Sequence, residues 1–297
     1  MKNIDYKLLH AFSMVIKYES FDKAAEFLYL TQSAVSQRIK QLEQLVSQPV
    51  LIRSTPLRAT EIGKKLLNHY YQVQQLEADL LPHIYPEDLI SPLTISLATN
   101  ADSLATWLIP ALAKLIQTHN IELNLEVTNE TNTIYKLKNG EVFGAISTQA
   151  TALPGCVVDK LGNMNYFLVA SPDFRDKHFK KGVNKDALLK APGLLFDSKD
   201  MMHIEFIKKE FGLLQGSYPC HIIHSSEAFV NFAKQGLAYC LIAELQIKDE
   251  LKEGKLINLL PKKQINQTLY WHRWSLVKGV FKKFSDNIIE QGKDILD

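Results

Sequence analysis

The first 50 residues carry apolar side chains at the three- and four-residue spacing of amphipathic helices. The first run predicts a helix that ends near residues 18–20. Ser20 is then a suitable N-cap for a short second helix, in which Ala24 and Ala25 allow another helix to pack closely. Thr31 is the predicted N-cap of a third helix, whose apolar stripe consists of Val35, Ile39, Leu42 and Val46. The pattern therefore predicts three short helices, of which the second and third are joined by a tight turn.

Hydrogen-bonding side chains crowd the other face of the third helix, and a short basic segment follows it. That face carries Gln32, Ser33, Ser36, Gln37 and Lys40. The next segment, "PVLIRSTPLRAT", is typical of a small β-hairpin, or wing, that bears Arg53 and Arg58. Four cations and one acid lie between residues 31 and 58, a local net charge of +3, whereas the whole chain has a net charge of only +2. Basic charge is thus concentrated in the first 59 residues, which we call the head.

Two helices joined by a tight turn and followed by a wing are typical of a winged helix-turn-helix. The second helix of such a motif lies in the major groove of DNA, where Gln, Ser and Arg side chains reach base edges and phosphates. A solvated helix face is the alternative interpretation of any single amphipathic helix. The small-residue helix before it and the basic wing after it favour DNA binding.

A heptad-like seam of apolar residues and one histidine continues beyond the head. It consists of Ala59, Ile62, Leu66, His69, Val73, Leu76 and Leu80. We expect a helix that begins after the N-cap Thr60 and is ended by Pro82 and Pro86, within a linker of residues 60–91. A helix that lies on its own domain is the alternative, but a position between two domains favours a dimerising linker helix.

Residues 92–297 alternate strand and helix patterns, which predicts an α/β domain. The same order of elements restarts after residue 162, and "TLYWHRW" is typical of a late strand that returns to the first half. We therefore expect lobe I at residues 92–161 and 268–297 and lobe II at residues 162–267, with a turn at residues 157–164 where the chain crosses over. A C-terminal helix is predicted over residues 280–296.

The segments "FDKAAEFLYLTQSAVSQRIKQLE" and "VLIRSTPLRATEIG", the linker helix and the α/β half together resemble LysR-type transcriptional regulators over the full length. Within that family, "SLATNADSLATWLIPAL" and "YWHRW" resemble the ArgP branch, also called LysG or the chromosome initiation inhibitor, which responds to lysine and arginine. Leu51 stands where the family usually has Phe, and Gln37 stands where Arg is frequent. The candidate DNA-binding residues that follow from the motif and the resemblance are Thr31, Gln32, Ser33, Ser36, Gln37, Arg38, Lys40, Arg53 and Arg58.

The resemblance implies a two-lobed, periplasmic-binding-protein-like effector domain, and small molecules bind in the crevice of such a fold. The loop after the first strand opens a helix, whose amides can hold a carboxylate, and Asp102 can then contact a cationic group. The candidate effector-binding residues are Thr99, Asn100, Asp102, Ser103, Asn129, Ser147, Asp197, Ser198 and Ser226. Helix capping is the alternative role for Asp102, Ser103 and Ser226.

Motifs for enzymatic chemistry are not found in the sequence. It contains no HExxH, no GxSxG and no Walker-type loop, and the nine His residues show no metal-ligand spacing. The three Cys residues lie far apart without a CxxC motif, so we expect free thiols and no disulfide framework or zinc site. For "WHRW", Trp271–Trp274, a strand in which buried aromatic residues alternate with exposed polar residues is the plainer interpretation, and a role near the effector cleft is the alternative.

The sequence and the resemblance together predict a LysR-type regulator that is not an enzyme and has no cofactor other than a small effector, lysine or arginine. We expect promoter DNA, a second copy of the chain, with tetramers as a further option, and RNA polymerase as partners. No signal-peptide pattern and no apolar run of about 20 residues occur, so we expect a cytoplasmic protein that does not enter the membrane. The alternatives are a regulator with another effector, an effector-free architectural or origin-binding protein, and a small-molecule binding protein of the periplasmic type.

Overall fold

The computed structural model describes residues 4–84, 92–129 and 132–296. The head contains three helices and one antiparallel hairpin: α1 (Tyr6–Tyr18), α2 (Phe21–Phe27), α3 (Gln32–Val46), β1 (Leu51–Ile52) and β2 (Arg58–Ala59). Both predicted caps are present, since Ser20 Oγ accepts a hydrogen bond from Lys23 N at 3.3 Å and Thr31 Oγ1 accepts one from Ala34 N at 3.2 Å. The predicted winged helix-turn-helix is therefore confirmed.

The apolar stripe of α3 packs into the core of the head. Val35, Ile39 and Leu42 are fully buried, together with Phe12 of α1, whereas Val46 is only partly buried. The side chains on the opposite face of α3 are therefore held in place by an anchored helix.

The linker helix α4 (Glu61–Ile84) is capped by Thr60, whose Oγ1 accepts from Gly63 N at 3.1 Å. The prediction that Pro82 ends this helix is wrong, because the helix continues to Ile84. A proline removes one intrahelical hydrogen bond and crowds the preceding turn, but the two residues after Pro82 still complete the last turn. The predicted stop at Pro86 lies outside the described residues.

The two halves of α4 have different surroundings. Leu66, Leu67 and Tyr70 belong to the core of the head. Further along the predicted seam, Leu76 is 43% exposed and Leu80 is 54% exposed. The first half of α4 therefore packs within the head. The second half lies beside Leu276 and Phe281 of lobe I at Leu76, and still exposes much of Leu76 and Leu80.

The α/β half begins in lobe I and passes twice between the lobes. The first elements are β3 (Leu93–Thr99), α5 (Ala101–Ser103), a π-helical turn (Leu104–Leu108), α6 (Ile109–Thr118), β4 (Ile121–Val127), α7 (Thr133–Lys138) and β5 (Gly144–Ser147). The strand β6 (Cys156–Ala170) crosses into lobe II, which contains α8 (Pro172–His178), α9 (Lys185–Leu188), β7 (Gly193–Leu195), α10 (Met201–Phe211), β8 (Cys220–Ile222), α11 (Ser226–Lys234), β9 (Cys240–Ala243), α12 (Glu244–Lys252) and β10 (Ile257–Asn258). The strand β11 (Ile265–Trp274) returns to lobe I, where α13 (Gly279–Leu296) packs as predicted.

A mixed seven-stranded sheet connects the lobes in the order β10-β6-β11-β5-β3-β4, and β9 also pairs with β6. The strands β3, β4 and β5 are parallel, whereas β6 and β11 are antiparallel neighbours. A second, two-stranded parallel sheet in lobe II contains β7 and β8. Two long strands therefore join the lobes.

The predicted turn at residues 157–164 is wrong, because β6 runs unbroken through these positions. Gly162 has a φ of +146°, and a Cβ atom added there would lie 2.6 Å from Leu296 Cβ. The glycine thus allows the end of α13 to approach a strand closely and does not form a turn. The predicted lobe boundaries at residues 161/162 and 267/268 accordingly fall inside continuous strands.

The helical segment that follows β3 begins at Ala101, ends at Thr118 and contains a π-helical turn. Pro110 has no amide hydrogen to donate to the carbonyl of Thr106, which explains the local departure from α-helical bonding. Asp102 therefore lies in the first turn of a nearly continuous helical segment over residues 101–118.

Candidate functional site

The polar face of α3 is accessible in the structure. Gln32, Ser33, Gln37 and Lys40 are exposed, and Ser36 and Arg38 are half-buried. Thr31 is exposed, but its Oγ1 is occupied: it accepts from Ala34 N as the N-cap of α3 and lies 3.0 Å from Ser33 Oγ. The face thus presents amides, hydroxyls and cations on an anchored helix, the chemistry needed to contact base edges and phosphates.

The wing extends this basic surface. Arg53 and Arg58 are exposed, and the Arg53 guanidinium lies 5.8 Å from the ring centroid of Phe21 at the start of α2. Glu43, the one acid in this segment, accepts a hydrogen bond from Val50 N at 3.1 Å and so holds the start of the wing. Within residues 4–84, none of the cations at positions 38, 40, 53 and 58 forms an ion pair. Their charge therefore remains available for phosphate groups.

A cleft of about 980 Å³ lies between the two lobes, bordered by β6 and β11. Five of the nine candidate effector residues line it: Asn100, Asp102, Asn129, Asp197 and Ser226. The α3 face and this cleft are thus two separate candidate sites, one in the head and one in the α/β half.

The structure does not bring the other four candidates to the cleft wall. Thr99, Ser103 and Ser147 are fully buried. Ser147 Oγ accepts from Gln149 N at 3.2 Å, which is a local turn contact. Ser198 is exposed outside the cleft. Thr99 and Ser147 end the strands β3 and β5, and alternate side chains at a strand end point into the core.

Asp102 connects the two lobes. Its carboxylate accepts hydrogen bonds from the hydroxyl of Ser226, the first residue of α11, and from the hydroxyl of Tyr166 on β6 at 2.8 Å. Ser226 Oγ also lies 3.0 Å from Gln246 Oε1 of α12. Burial raises the pKa of Asp102, and the two hydroxyl donors oppose that shift. Sequence reasoning missed Tyr166 and Gln246, because each lies within an otherwise ordinary strand or helix pattern.

Asp200 and Asp197 place two more carboxylates at the cleft. Asp200 caps α10 and accepts from His203 N at 3.1 Å and from Phe196 N at 3.0 Å, and Asp197 accepts from Lys199 N at 2.6 Å. Burial raises the pKa of Asp200, the two backbone donors lower it, and the charges of Asp102 and Asp197 raise it further. Among the described residues, none of the three carboxylates forms an ion pair with a basic side chain. Glu205 also lines the cleft without an ion pair in the described part of the chain, so four acidic groups are offered to a cationic ligand.

Groups that suit an anion line the same cleft. Lys199, Lys209 and Lys262 are lining residues without an ion pair in the described part of the chain, whereas Lys263 pairs with Glu210. The helical segment that starts at Ala101 also directs backbone amides toward the cleft. A small zwitterion with an additional cationic group therefore finds complementary partners for each of its charges.

Trp271–Trp274 do not line the cleft. Trp271 is fully buried and its Nε1 donates to Ser285 Oγ at 2.8 Å, while Arg273 pairs with Asp159. His272 is buried as well, with Nε2 at 2.7 Å from the carbonyl oxygen of Gln149. The predicted burial of the aromatic residues is therefore confirmed, whereas the expected exposure of the polar residues is wrong, because His272 is buried and Arg273 is largely buried.

Other kinds of site receive no support from the described residues. They contain no group of three or more His, Cys, Asp or Glu side chains placed to hold a metal ion. The described helices include none that is both long enough and apolar enough to cross a membrane. The three Cys residues are free thiols, of which Cys240 is buried.

Comparison with known proteins matches both halves of the chain. Residues 6–64 match the family model for the bacterial regulatory helix-turn-helix protein of the lysR family, and residues 92–286 match the LysR substrate binding domain. The HTH-type transcriptional regulator ArgP of Aeromonas salmonicida is 51% identical over 296 residues, covering 100% of this chain and 99% of its own. ArgP of Photobacterium profundum is 50% identical with the same coverage.

Solved structures agree with this assignment. ArgP from Mycobacterium tuberculosis superimposes with a TM-score of 0.83 at 31% identity, covering 98% of each chain. Full-length LysG from Corynebacterium glutamicum with bound effector Arg has a TM-score of 0.79 at 28% identity, covering 98% of this chain and 99% of its own. The relatives are transcriptional regulators, not enzymes. The chain therefore belongs to the LysR family of bacterial transcriptional regulators, with a helix-turn-helix that binds DNA and a substrate-binding domain of the ArgP and LysG type.

Proposed function

We propose that this regulator binds arginine or lysine in the cleft between its lobes and that the bound amino acid changes how it occupies promoter DNA. The observation that carries the proposal is that the carboxylates of Asp102, Asp197 and Asp200, like that of Glu205, line the cleft without a basic partner among the described residues. LysG from Corynebacterium glutamicum, whose structure holds Arg as effector, is 28% identical over nearly the whole chain.

The effector's cationic groups pair with these carboxylates. Asp102 is central, because its present partners are the neutral hydroxyls of Ser226 and Tyr166. A guanidinium or ammonium group offers the carboxylate a charge-assisted hydrogen bond, which is stronger than one from a neutral donor. The α-carboxylate of the effector binds the amides at the start of the 101–118 segment and a cleft lysine.

On the DNA side, α3 enters the major groove. Gln32 and Gln37 contact base edges, and Arg53 neutralises phosphates from the wing. The exposed seam of α4 pairs with that of a second copy, which presents two heads to a two-fold symmetric site. We further propose that two such dimers can form a tetramer and that the DNA-bound regulator contacts RNA polymerase. We place the protein in the cytoplasm, where it controls genes for transport or metabolism of basic amino acids.

A ligand titration tests this function. Thermal unfolding is followed with arginine, lysine and glutamate, because a ligand that binds only the folded state raises the melting temperature. We expect arginine or lysine to raise it and glutamate, which lacks the second cationic group, to leave it unchanged. Footprinting of the DNA upstream of neighbouring genes, with and without the active ligand, then identifies the promoter. The absence of any shift with both arginine and lysine would overturn the proposed effector.

A further inference from the structure

The turn that follows α7 in lobe I lies directly against the linker helix. Asn68 Nδ2 of α4 donates a hydrogen bond of 2.7 Å to the carbonyl oxygen of Lys138, the last residue of α7. Gly140 has a φ of +75°, and a Cβ atom added there would lie 1.9 Å from Asn68 Oδ1 and 3.0 Å from Asn68 Cα. Only glycine fits this contact, because both the backbone conformation and the space exclude a side chain.

An electrostatic interaction also links the same two elements. Tyr71 of α4 packs against the core of the head, and burial together with the charges of Tyr70 and Glu141 raises its pKa to about 12. Glu141 follows Gly140 directly and is held by Lys136 Nζ at 2.6 Å and Asn139 Nδ2 at 2.9 Å. The turn therefore touches α4 in the half that is packed into the head, where a displacement is transmitted to the head itself.

The other end of α7 lies at the cleft. Asn129 is a lining residue, its Oδ1 accepts from Asn132 N at 3.1 Å, and its carbonyl oxygen accepts from Thr133 N at 3.2 Å. Between the two ends, Ile134 and Leu137 are buried in the core of lobe I. Six helical residues rise roughly 9 Å, so one short, well-packed helix spans the distance from the cleft to α4.

We propose that α7 transmits occupancy of the cleft to the head of the same chain through the contact of Gly140 with Asn68. This inference rests on the proposed function and names its intramolecular route. A ligand that contacts Asn129 favours one position of α7, and the contact at Gly140 leaves no space for α7 to move independently of α4. Binding at the cleft and DNA binding by the head are then coupled by one packed element.

The test separates coupling from binding. Wild type, Gly140→Ala and Asn68→Ala are compared as full-length chains, with arginine affinity measured by calorimetry. Affinity for the footprinted promoter is measured by fluorescence anisotropy with and without saturating arginine. We expect arginine to change the promoter affinity of wild type by about fivefold or more, and that of either variant by less than about twofold, while both variants still bind arginine.

Gly182→Ala is the matched control, because Gly182 also has a positive φ, of +84°, but no atom lies within 4 Å of an added Cβ. It carries the same backbone strain in lobe II and retains the wild-type response. If Gly140→Ala does not fold, Asn68→Ala, which introduces no strain, decides alone. An undiminished arginine response in Asn68→Ala would overturn the inference and leave the proposed function intact. Absence of any arginine binding or response in wild type would instead overturn the proposed function.

Discussion

Ser226 donates a hydrogen bond to Asp102 across the boundary between the two lobes, although the two residues are 124 positions apart in the chain. Tyr166, on the strand that joins the lobes, donates to the other oxygen of the same carboxylate. The acid that we assign to the effector's cation thus already forms a hydrogen bond across the lobe boundary in the ligand-free structure. A ligand at Asp102 therefore changes both the charge of the cleft and the contact between the lobes.

Replacement of Asp102 by Asn is expected to weaken arginine binding by about tenfold or more, which corresponds to ~1.4 kcal/mol. The amide oxygen keeps an acceptor for one of the two hydroxyls, the other hydroxyl can accept from the amide NH2, and the charge that attracts a cation is removed. Because burial disfavours the ionised carboxylate, the substitution is not expected to lower the free energy of unfolding. Calorimetric titration and chemical denaturation measure the two quantities.

Asp173→Asn is the control for this change, since Asp173 is exposed on α8 and does not line the cleft. Arginine affinity equal to that of wild type in Asp102→Asn would remove Asp102 from the binding site.

Acid sensitivity is expected to arise in part from His203, which is fully buried between Tyr218 and Tyr239 in lobe II. Its ring nitrogens have no partner among the described residues, and burial lowers its pKa to about 4. A histidine with a lowered pKa takes up its proton more readily in the unfolded chain, so its neutral form stabilises the fold above pH 6.5. The free energy of unfolding therefore falls by about 3 kcal/mol in all as pH falls from 6.5 toward 4.

The variant His203→Phe keeps the stacked ring and removes the titrating group. We expect its free energy of unfolding to fall less steeply than that of wild type between pH 6.5 and pH 4, as measured by urea denaturation at several pH values. Parallel pH profiles for the two proteins would show that His203 does not titrate in this way.

The features that could be predicted from the sequence depend on interactions between residues close together in the chain. The helices α2 and α3 begin directly after their predicted N-caps, Ser20 and Thr31, and α1 ends at Tyr18 as predicted. Such caps can be predicted because they depend on a side chain and an amide only three positions apart. The turn predicted at residues 157–164 is wrong, because Gly162 lies within a strand against Leu296, far along the chain. Likewise, Asp102 was recognisable from its place after a strand, but its partners Ser226 and Tyr166 depend on how the lobes meet. Long-range packing, not local preference, determines the cleft.

The two kinds of DNA contact are expected to respond differently to substitution. Gln32→Ala removes an exposed amide from the start of α3, and a lost base contact costs about 1–3 kcal/mol on the preferred site. Arg53→Ala removes a phosphate contact and lowers affinity for all sequences, with a salt dependence reduced by about one counterion. Anisotropy titrations at several salt concentrations distinguish the two effects.

Arg175→Ala serves as the control for charge, because Arg175 is an exposed cation of lobe II paired with Asp176. Unchanged DNA affinity in both head variants, with folding intact by circular dichroism, would contradict the assignment of α3 and the wing to DNA.

The exposed half of α4 is expected to hold two copies of the chain together. Leu80 is 54% exposed on the predicted seam, and a charge at the centre of a helical dimer interface is costly because it is buried without a partner. Leu80→Arg is therefore expected to shift the protein from dimer to monomer in sedimentation velocity and to weaken DNA binding. Leu214→Arg is the matched control, since Leu214 is 62% exposed in lobe II, away from α4. A Leu80→Arg protein that sediments as wild type does would place the dimer contact elsewhere on the chain.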